Sequence, residues 1–389
     1  MYSITLKKKE EKRILDGHTW VYANEVAAIE GKGKNGEIAH VFSASGLFLG
    51  KGYINHLSKI LVRIISVDRK EEIDEAFFEK RIIEANNLRL RMGYRDNYRA
   101  VFGEADNLPG LIVDKYNDIL SVQFLSLGMD LQKETIVNCL KRIFVPRGIY
   151  ERGDVSVREK EGLKQINSKL YGEFDTKVCI EENGIKMLVD VEKGQKTGYF
   201  LDQKENRLAL QRYAKDCRVL DCFANSGGFV LNCAMGGAKE AIALDISQFA
   251  VENINENAKL NKLEVNAICC DVFEQLRVYK KESRNFDLIV LDPPAFCKTA
   301  AEVKDAYRGY KDINILALKL LSKGGILATS SCSHYMSFGL FEDMLTEAAR
   351  ESRKRVRILE RRSQSPDHPS RLGCGETLYL KFYILQVID

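Results

Sequence analysis

Short apolar runs separated by glycine turns fill the first seventy residues: EIAHVFSA (37–44), LFLGKGYI (47–54) and KILVRII (59–65), with turns at Gly31, Gly33, Gly36 and Ser45-Gly46. Such close spacing of β-branched runs predicts a compact β-barrel or sandwich. Over 74–92, DEAFFEKRIIEANNLRLRM places apolar side chains at helical spacing, with Asp74 standing where an N-cap belongs. GEADNLPG then reads as a turn-rich loop, and LIVDKYNDILSVQFLSL as two strands around an Asn117-Asp118 turn. A helix over 130–143 and mixed structure to about 175 complete a second small α+β unit.

From about residue 180 the rhythm changes, and apolar runs end at chemically pointed residues: CRVLDCFANSGG (217–228), AIALDIS (241–247), AICCDVF (267–273), DLIVLDPP (287–294) and GILATSSCS (325–333). Asp221, Asp245, Asp271 and Asp292 follow one another at 24, 26 and 21 residues. Repeated strand–helix units produce that spacing and bring the acids to the C-terminal ends of parallel strands, the edge where ligands bind in doubly wound α/β sheets. The expected division is 1–72, 73–178 and 179–389.

Composition changes this picture little and charge distribution more. The 389 residues are 45% hydrophobic and 29% charged, which excludes wholesale disorder. The net charge is only +4, but residues 1–70 carry 12 basic and 7 acidic side chains, so the whole excess lies there. That segment is a candidate for an anionic partner. The ten cysteines include no CxxC pair and point neither to zinc nor to a disulfide scaffold. No apolar leader opens the chain and no run of ~18 apolar residues is present, so a reducing cytoplasm and no membrane are expected, with most cysteines acting as small buried hydrophobes.

The first strand–helix turn, DCFANSGGFVLNCA, lacks a strict GxGxxG, yet Ala224, Ser226, Gly227 and Gly228 would admit a ligand close to backbone amides. A tight turn alone is the competing reading. Asp245 suits a ribose diol or else the N-cap of SQFAVENINENAK; Asp271 with Val272 suits an adenine edge or else a helix cap. Together they describe a nucleoside-containing cofactor across the strand ends. Asp292-Pro293-Pro294 cannot continue a central strand and fixes a stiff loop suited to a flat nucleobase. Cys332, in SSCSH, reaches the same edge in a polar setting unlike that of Cys139 or Cys269, while His334 reads as a capping or surface residue. Cytosine C5 is a poor nucleophile until a thiolate adds at C6, so a cysteine opposite an Asp-Pro-Pro loop points to C5 methylation. Methylation of an amino group would need the loop and no cysteine.

These residues resemble the RlmI-type family of 23S ribosomal RNA (cytosine-5)-methyltransferases, S-adenosylmethionine-dependent enzymes of the class I Rossmann-like fold. The resemblance covers nearly the whole chain. It runs through GHTWVYANEV (17–26), FGEADNLPGLIVDKY (102–116), YERGDVSVREKEGL (150–163), VDVEKGQKTGYFLDQKENR (189–207), LDCFANSGGF (220–229), LDPPAFCK (291–298), RGYKDINILALKLL (308–321) and SCS (331–333). It implies an N-terminal PUA domain of small β-barrel type, a small α+β domain and a C-terminal α/β methyltransferase. It implies Cys332 as nucleophile and Asp292 as catalytic-loop aspartate. Asp221, Phe223, Asn225, Ser226, Gly227, Gly228, Asp245, Asp271, Val272 and Asp292 are then the expected contacts of S-adenosylmethionine. Phe200, in a segment that in similar enzymes folds over the cofactor, joins them. One departure stands out: many cytosine-5 RNA methyltransferases carry a second cysteine directly after Pro-Pro, where this chain has Ala295, and Cys297 lies two residues later.

The expected partner is 23S ribosomal RNA, naked or partly assembled, because a cytosine must be single-stranded or flipped to expose both ring faces. A homodimer stays open. Lys7, Lys8, Lys9, Lys12 and Arg13 are candidate phosphate contacts or a solvated face; RESRKRVRILERR (350–362) is a solvated helix and edge strand or part of an RNA rim. Tyr199, Phe200 and Phe296 suit stacking on cofactor or base, with core packing as the alternative. Two other functions compete: an amino-group (guanine N2 or adenine N6) RNA methyltransferase, and a non-catalytic RNA-binding assembly factor.

Overall fold

The protein is described by a computed structural model covering residues 2–297 and 299–389; Lys298, the last residue of the LDPPAFCK segment, lies outside the described residues. The chain folds into two compact units that are discontinuous in sequence. One holds residues 1–180, 189–201 and 366–377, the other 181–188, 202–365 and 378–389.

The first unit opens with β1 (Tyr2–Leu6), β2 (Trp20–Tyr22), β3 (Val26–Glu30), β4 (Ile38–Phe42), β5 (Phe48–Ile54) and β6 (Ile60–Ser66), one sheet in the order β2-β6-β5-β4-β1-β3. Alternate residues of β1 and β4, Ile4, Leu6, Ala39 and Val41, are buried and face one small core. The helix Glu75–Arg91 follows, capped as expected by Asp74, whose Oδ1 accepts the Phe77 N–H at 2.9 Å. Its buried positions Phe78, Ile82, Ala85 and Arg89 recur at three and four residues, one helical stripe. A second sheet, β11-β10-β9-β8-β7, comprises β7 (Asn97–Phe102), β8 (Leu111–Tyr116), β9 (Ile119–Phe124), β10 (Gly148–Arg152) and β11 (Asn167–Tyr171). Asn117, at φ 54°, supplies the left-handed residue of the β8–β9 turn. The helix expected over 130–143 is two, Leu127–Leu131 and Lys133–Phe144, broken at Gln132.

After a hairpin, β12 (Lys177–Glu182) and β13 (Ile185–Asp190), the second unit builds one seven-stranded sheet. Its strands are β14 (Arg218–Cys222), β15 (Glu240–Asp245), β16 (Asn266–Cys269), β17 (Phe286–Leu291), β18 (Leu321–Ser331), β19 (Val356–Arg362) and β20 (Lys381–Val387), ordered β16-β15-β14-β17-β18-β20-β19. The first five pair in parallel, while β20 runs antiparallel between β18 and β19. The four central residues of β15 and the last four of β14 and β17 are buried without alternation, as a sheet covered on both faces requires. The strand order reverses between β14 and β17, and a crevice opens at such a switch point.

The cysteines are more varied than expected. All ten are free; Cys139, Cys222, Cys233, Cys297 and Cys374 are buried, Cys217, Cys270 and Cys332 half-buried, and Cys179 and Cys269 exposed. Among the described residues no helix is long and apolar enough to cross a membrane.

Candidate active site

Asp221 lies inside β14, Asp245 ends β15, and Asp271 and Asp292 stand just beyond β16 and β17. The parallel registers therefore bring all four acids to one edge of the sheet. Asp221 is fully buried; Oδ2 accepts the Val230 N–H at 2.9 Å and Oδ1 has no hydrogen-bond partner among the described residues. Burial pushes its carboxyl well above the usual carboxylate range; the Val230 N–H and Arg207 pull it down, while Asp292 and Asp245 push it further up.

Between β14 and the helix Gly228–Met235 the loop is held open in left-handed backbone: Phe223, Asn225 and Gly227 have φ of 63°, 52° and 84°. Two of these, Phe223 and Asn225, are not glycine. Asp245 fixes the loop, Oδ2 accepting the Asn225 N–H at 2.9 Å, while Asn225 Oδ1 accepts the Ser226 N–H at 2.8 Å. A Cβ built on Gly227 would come within 3.2 Å of Ile254 Cγ1, so a glycine there preserves the close approach. The competing role for Asp245 falls instead to Ser247, the residue that caps the next helix by accepting the Ala250 N–H. Asp271 does cap a helix, Oδ1 accepting the Glu274 N–H at 2.9 Å, and the following Val272 is buried.

At the reversal point Asp292 Oδ1 accepts hydrogen bonds from Gln203 Nε2 at 2.9 Å and from the Ser330 hydroxyl. Gln203 is itself held, Oε1 accepting from Asn206 Nδ2 at 2.7 Å. Gln203, inside VDVEKGQKTGYFLDQKENR, and Ser330 carry no sequence signal of this role beyond their polar side chains. Cys332 follows β18 half-buried, between the buried Ser331 and Ser333. Tyr310 Oη lies 3.0 Å from Ser333 Oγ, and Lys381 Nζ donates to the Ser333 carbonyl at 2.6 Å. An aromatic series, Phe223, Phe273, Phe296 and Tyr310, joins the loop to this end of the sheet at centroid spacings of 6.4, 6.3 and 4.6 Å.

A family model for S-adenosylmethionine-dependent methyltransferases matches residues 163–379, and one for a PUA-like domain matches residues 4–67. Curated relatives called ribosomal RNA large subunit methyltransferase I are 41% identical in Pseudoalteromonas atlantica (99% of each chain covered) and 39% identical in Klebsiella pneumoniae (99% and 98% covered). The chain belongs to this S-adenosylmethionine-dependent methyltransferase family. Two solved methyltransferase structures, one from Streptococcus mutans and one complexed with SAH, match the methyltransferase over all of both chains at TM-scores of 0.85 and 0.86. At 21% identity they speak for the fold.

Of the methyltransferase's expected site residues, the sheet edge gathers Asp221, Phe223, Asn225, Ser226, Gly227, Gly228, Asp245, Asp271, Val272, Asp292 and Cys332 within the second unit. Phe200 belongs to the first unit, where Lys196 Nζ lies 4.5 Å from its ring centroid. Tyr199 is buried there, its N–H donating to Tyr116 Oη. Cys297 is buried, Sγ donating to the Thr299 carbonyl at 3.0 Å, and burial pushes its thiol up. His334 is exposed.

The donor set fits S-adenosylmethionine. A buried carboxylate oxygen without a hydrogen-bond partner among the described residues, a glycine that permits close approach and an acid at each neighbouring strand end suit a cationic sulfonium carrying a ribose diol and an adenine.

Proposed function

We propose that this methyltransferase modifies C5 of a cytosine in 23S ribosomal RNA through a covalent Cys332–C6 adduct. The observation that carries the reading is the joint placement of Cys332 and a hydrogen-bonded Asp292 at the C-terminal edge of adjacent parallel strands. The names of the relatives support large-subunit ribosomal RNA as substrate class.

Asp245 would accept the ribose diol, Asp271 and the Val272 amide the adenine edge, and the 223–228 loop with Asp221 the methionine portion. When bound, S-adenosylmethionine supplies an electrophilic methyl group on sulfur. Cys332 loses its proton and adds to C6, which makes C5 nucleophilic. Asp292 holds the ring at N3, oriented by Gln203 and Ser330. A base then takes the C5 proton and the C6–S bond breaks, returning the Cys332 thiolate and 5-methylcytosine. Lys7, Lys8 and Lys9 are exposed on the PUA-like domain and would meet phosphates in naked or partly assembled RNA. The modules 1–72, 73–178 and 179–389 and a cytoplasmic setting complete the reading.

The protein, labelled S-adenosylmethionine and unmodified 23S RNA, followed by nucleoside mass spectrometry, test it. The expected product is 5-methylcytidine; N2-methylguanosine or N6-methyladenosine would overturn the C5 assignment, and no transfer at all would favour an assembly factor. RNA carrying 5-fluorocytosine should trap a covalent adduct with the native protein and none with Cys332→Ala, whose turnover should fall by about 10⁴-fold, as when a covalent nucleophile is removed.

A further inference from the structure

Lys381 opens β20 opposite Ser331 in the antiparallel β18–β20 ladder, one residue before Cys332. Its side chain is 2% exposed, and Nζ donates to the carbonyls of Ser333 and Tyr379, each at 2.6 Å. Those bonds use two of its three donors and hold the ammonium against the backbone that carries Cys332. Among the described residues no carboxylate lies within ion-pair distance of it. The other ionisable groups at this end of the sheet are engaged elsewhere. Tyr379 Oη donates to Asp202, Asp292 accepts from Gln203 and Ser330, Arg362 of β19 pairs with Glu360, and Tyr310 contacts Ser333. A lysine is almost never this buried without a countercharge.

We propose that Lys381 is a positioning residue for the covalent step, its buried ammonium serving as the countercharge that stabilises Cys332 as a thiolate. The inference rests on Cys332 being the nucleophile. The proton leaving Sγ goes to solvent, and the Lys381 ammonium offsets the negative charge left on sulfur. Burial pushes the Lys381 ammonium down to about 8, and the Cys332 thiolate acts in the opposite direction, so each charge favours the other. The same ammonium receives the thiolate again when the C6–S bond breaks. That matters in a chain with Ala295 where other enzymes have a second cysteine, and with Cys297 occupied by the Thr299 carbonyl.

The test is the pH profile of Cys332 alkylation by iodoacetamide in the full-length protein, read by peptide mass spectrometry with exposed Cys179 and Cys269 as internal controls. Lys381→Met should slow alkylation of Cys332 at pH 7 by about tenfold, one pH unit of thiol ionisation, and leave the controls unchanged; Lys381→Arg should restore most of the rate. A native profile in Lys381→Met overturns the proposal. Should Lys381→Met fail to fold, lysine ¹³Cε titration of native protein and Cys332→Ala decides. Loss of the thiolate should lower the Lys381 midpoint, and an unmoved midpoint overturns the pairing. A shifted alkylation profile together with no 5-fluorocytosine adduct overturns the nucleophile reading instead, so the two failures are distinguishable.

Discussion

Buried charge is handled in opposite ways in the two units. In the first, the fully buried Arg89 guanidinium meets Asp106 through two bonds of 2.7 and 2.8 Å, and buried Asp114 meets Arg99 at 2.8 and 2.7 Å. In the second, Asp221 and Lys381 are as deeply buried, yet one holds a single backbone N–H and the other two carbonyls. The difference does not belong to the unit as a whole, because Glu182 and Arg207 there form a buried bidentate pair at 2.6 and 2.8 Å. It is sharpest at the sheet edge, although buried Lys51 of the first unit also rests on two backbone carbonyls, those of Arg69 and Glu71. Desolvating an ion costs several kcal/mol unless a countercharge offsets it, so a lone buried charge persists where a ligand or reaction partner supplies the missing half. Paired charges specify the fold, whereas those of Asp221 and Lys381 face the chemistry proposed above.

The sharpest way to break this contrast is to unpair a structural ion. Arg89→Met leaves Asp106 buried without its countercharge and should cost about 3–5 kcal/mol in urea unfolding. Arg89→Met with Asp106→Leu should recover most of that loss. A single variant as stable as the native protein would remove the distinction. Next is the polar support of Asp292. Gln203→Leu removes the 2.9 Å bond to Oδ1 and should lower turnover by roughly 10- to 100-fold through misplacement alone, with S-adenosylmethionine affinity held. Asp221→Asn tests the lone charge itself. The carboxyl of folded Asp221 is raised, so its ionisation costs stability as pH rises above the unfolded value; the amide should make the protein more stable at neutral pH. The same change should weaken S-adenosylmethionine binding about tenfold by calorimetry, the loss of one charge-assisted bond. A variant that is less stable and binds normally would make Asp221 structural.

Much of this edge was legible because local signals carried it. Apolar runs closed by four aspartates and by SSCS marked five parallel strands, and the capping residue Asp74 sits where helical spacing begins. What escaped was set by pairing between distant segments. Nothing near LYLKFYILQV says that β20 inserts antiparallel between β18 and β19, which is what brings Lys381 to Cys332; a lysine in an apolar run was the sole trace. Gln203 reaches Asp292 across 89 residues. Cys269, in an apolar run, is exposed because β16 is an edge strand, so its neighbours in sequence misreport its neighbours in space. Within the basic run 350–362, read as a solvated face or part of an RNA rim, Arg361 pairs with Glu342 and Arg362 with Glu360 at 2.7 Å each, pairings that no local pattern announces.

The smallest effect is expected at a half-exposed pair of the first unit, where the contrast should fade. His18 Nε2 lies 3.1 Å from Glu376 Oε2, and that hydrogen bond draws the Glu376 carboxyl down to about 2 against the opposing effect of burial. A carboxyl depressed on folding adds stability above its unfolded value near 4.5, and that stability is lost as pH falls toward 2. Because the Glu376 side chain keeps 29% of its surface in solvent, water screens the pair, and Glu376→Gln should cost only about 1 kcal/mol at pH 7. Urea midpoints of native protein and variant should converge as pH falls from 4.5 toward 2. A gap that stays constant with pH would mean that packing, not charge, is what Glu376 contributes. A gap as large as that of Arg89→Met would mean that pairing stabilises this unit irrespective of burial, and depth would then cease to separate its ion pairs from the solitary charges at the sheet edge.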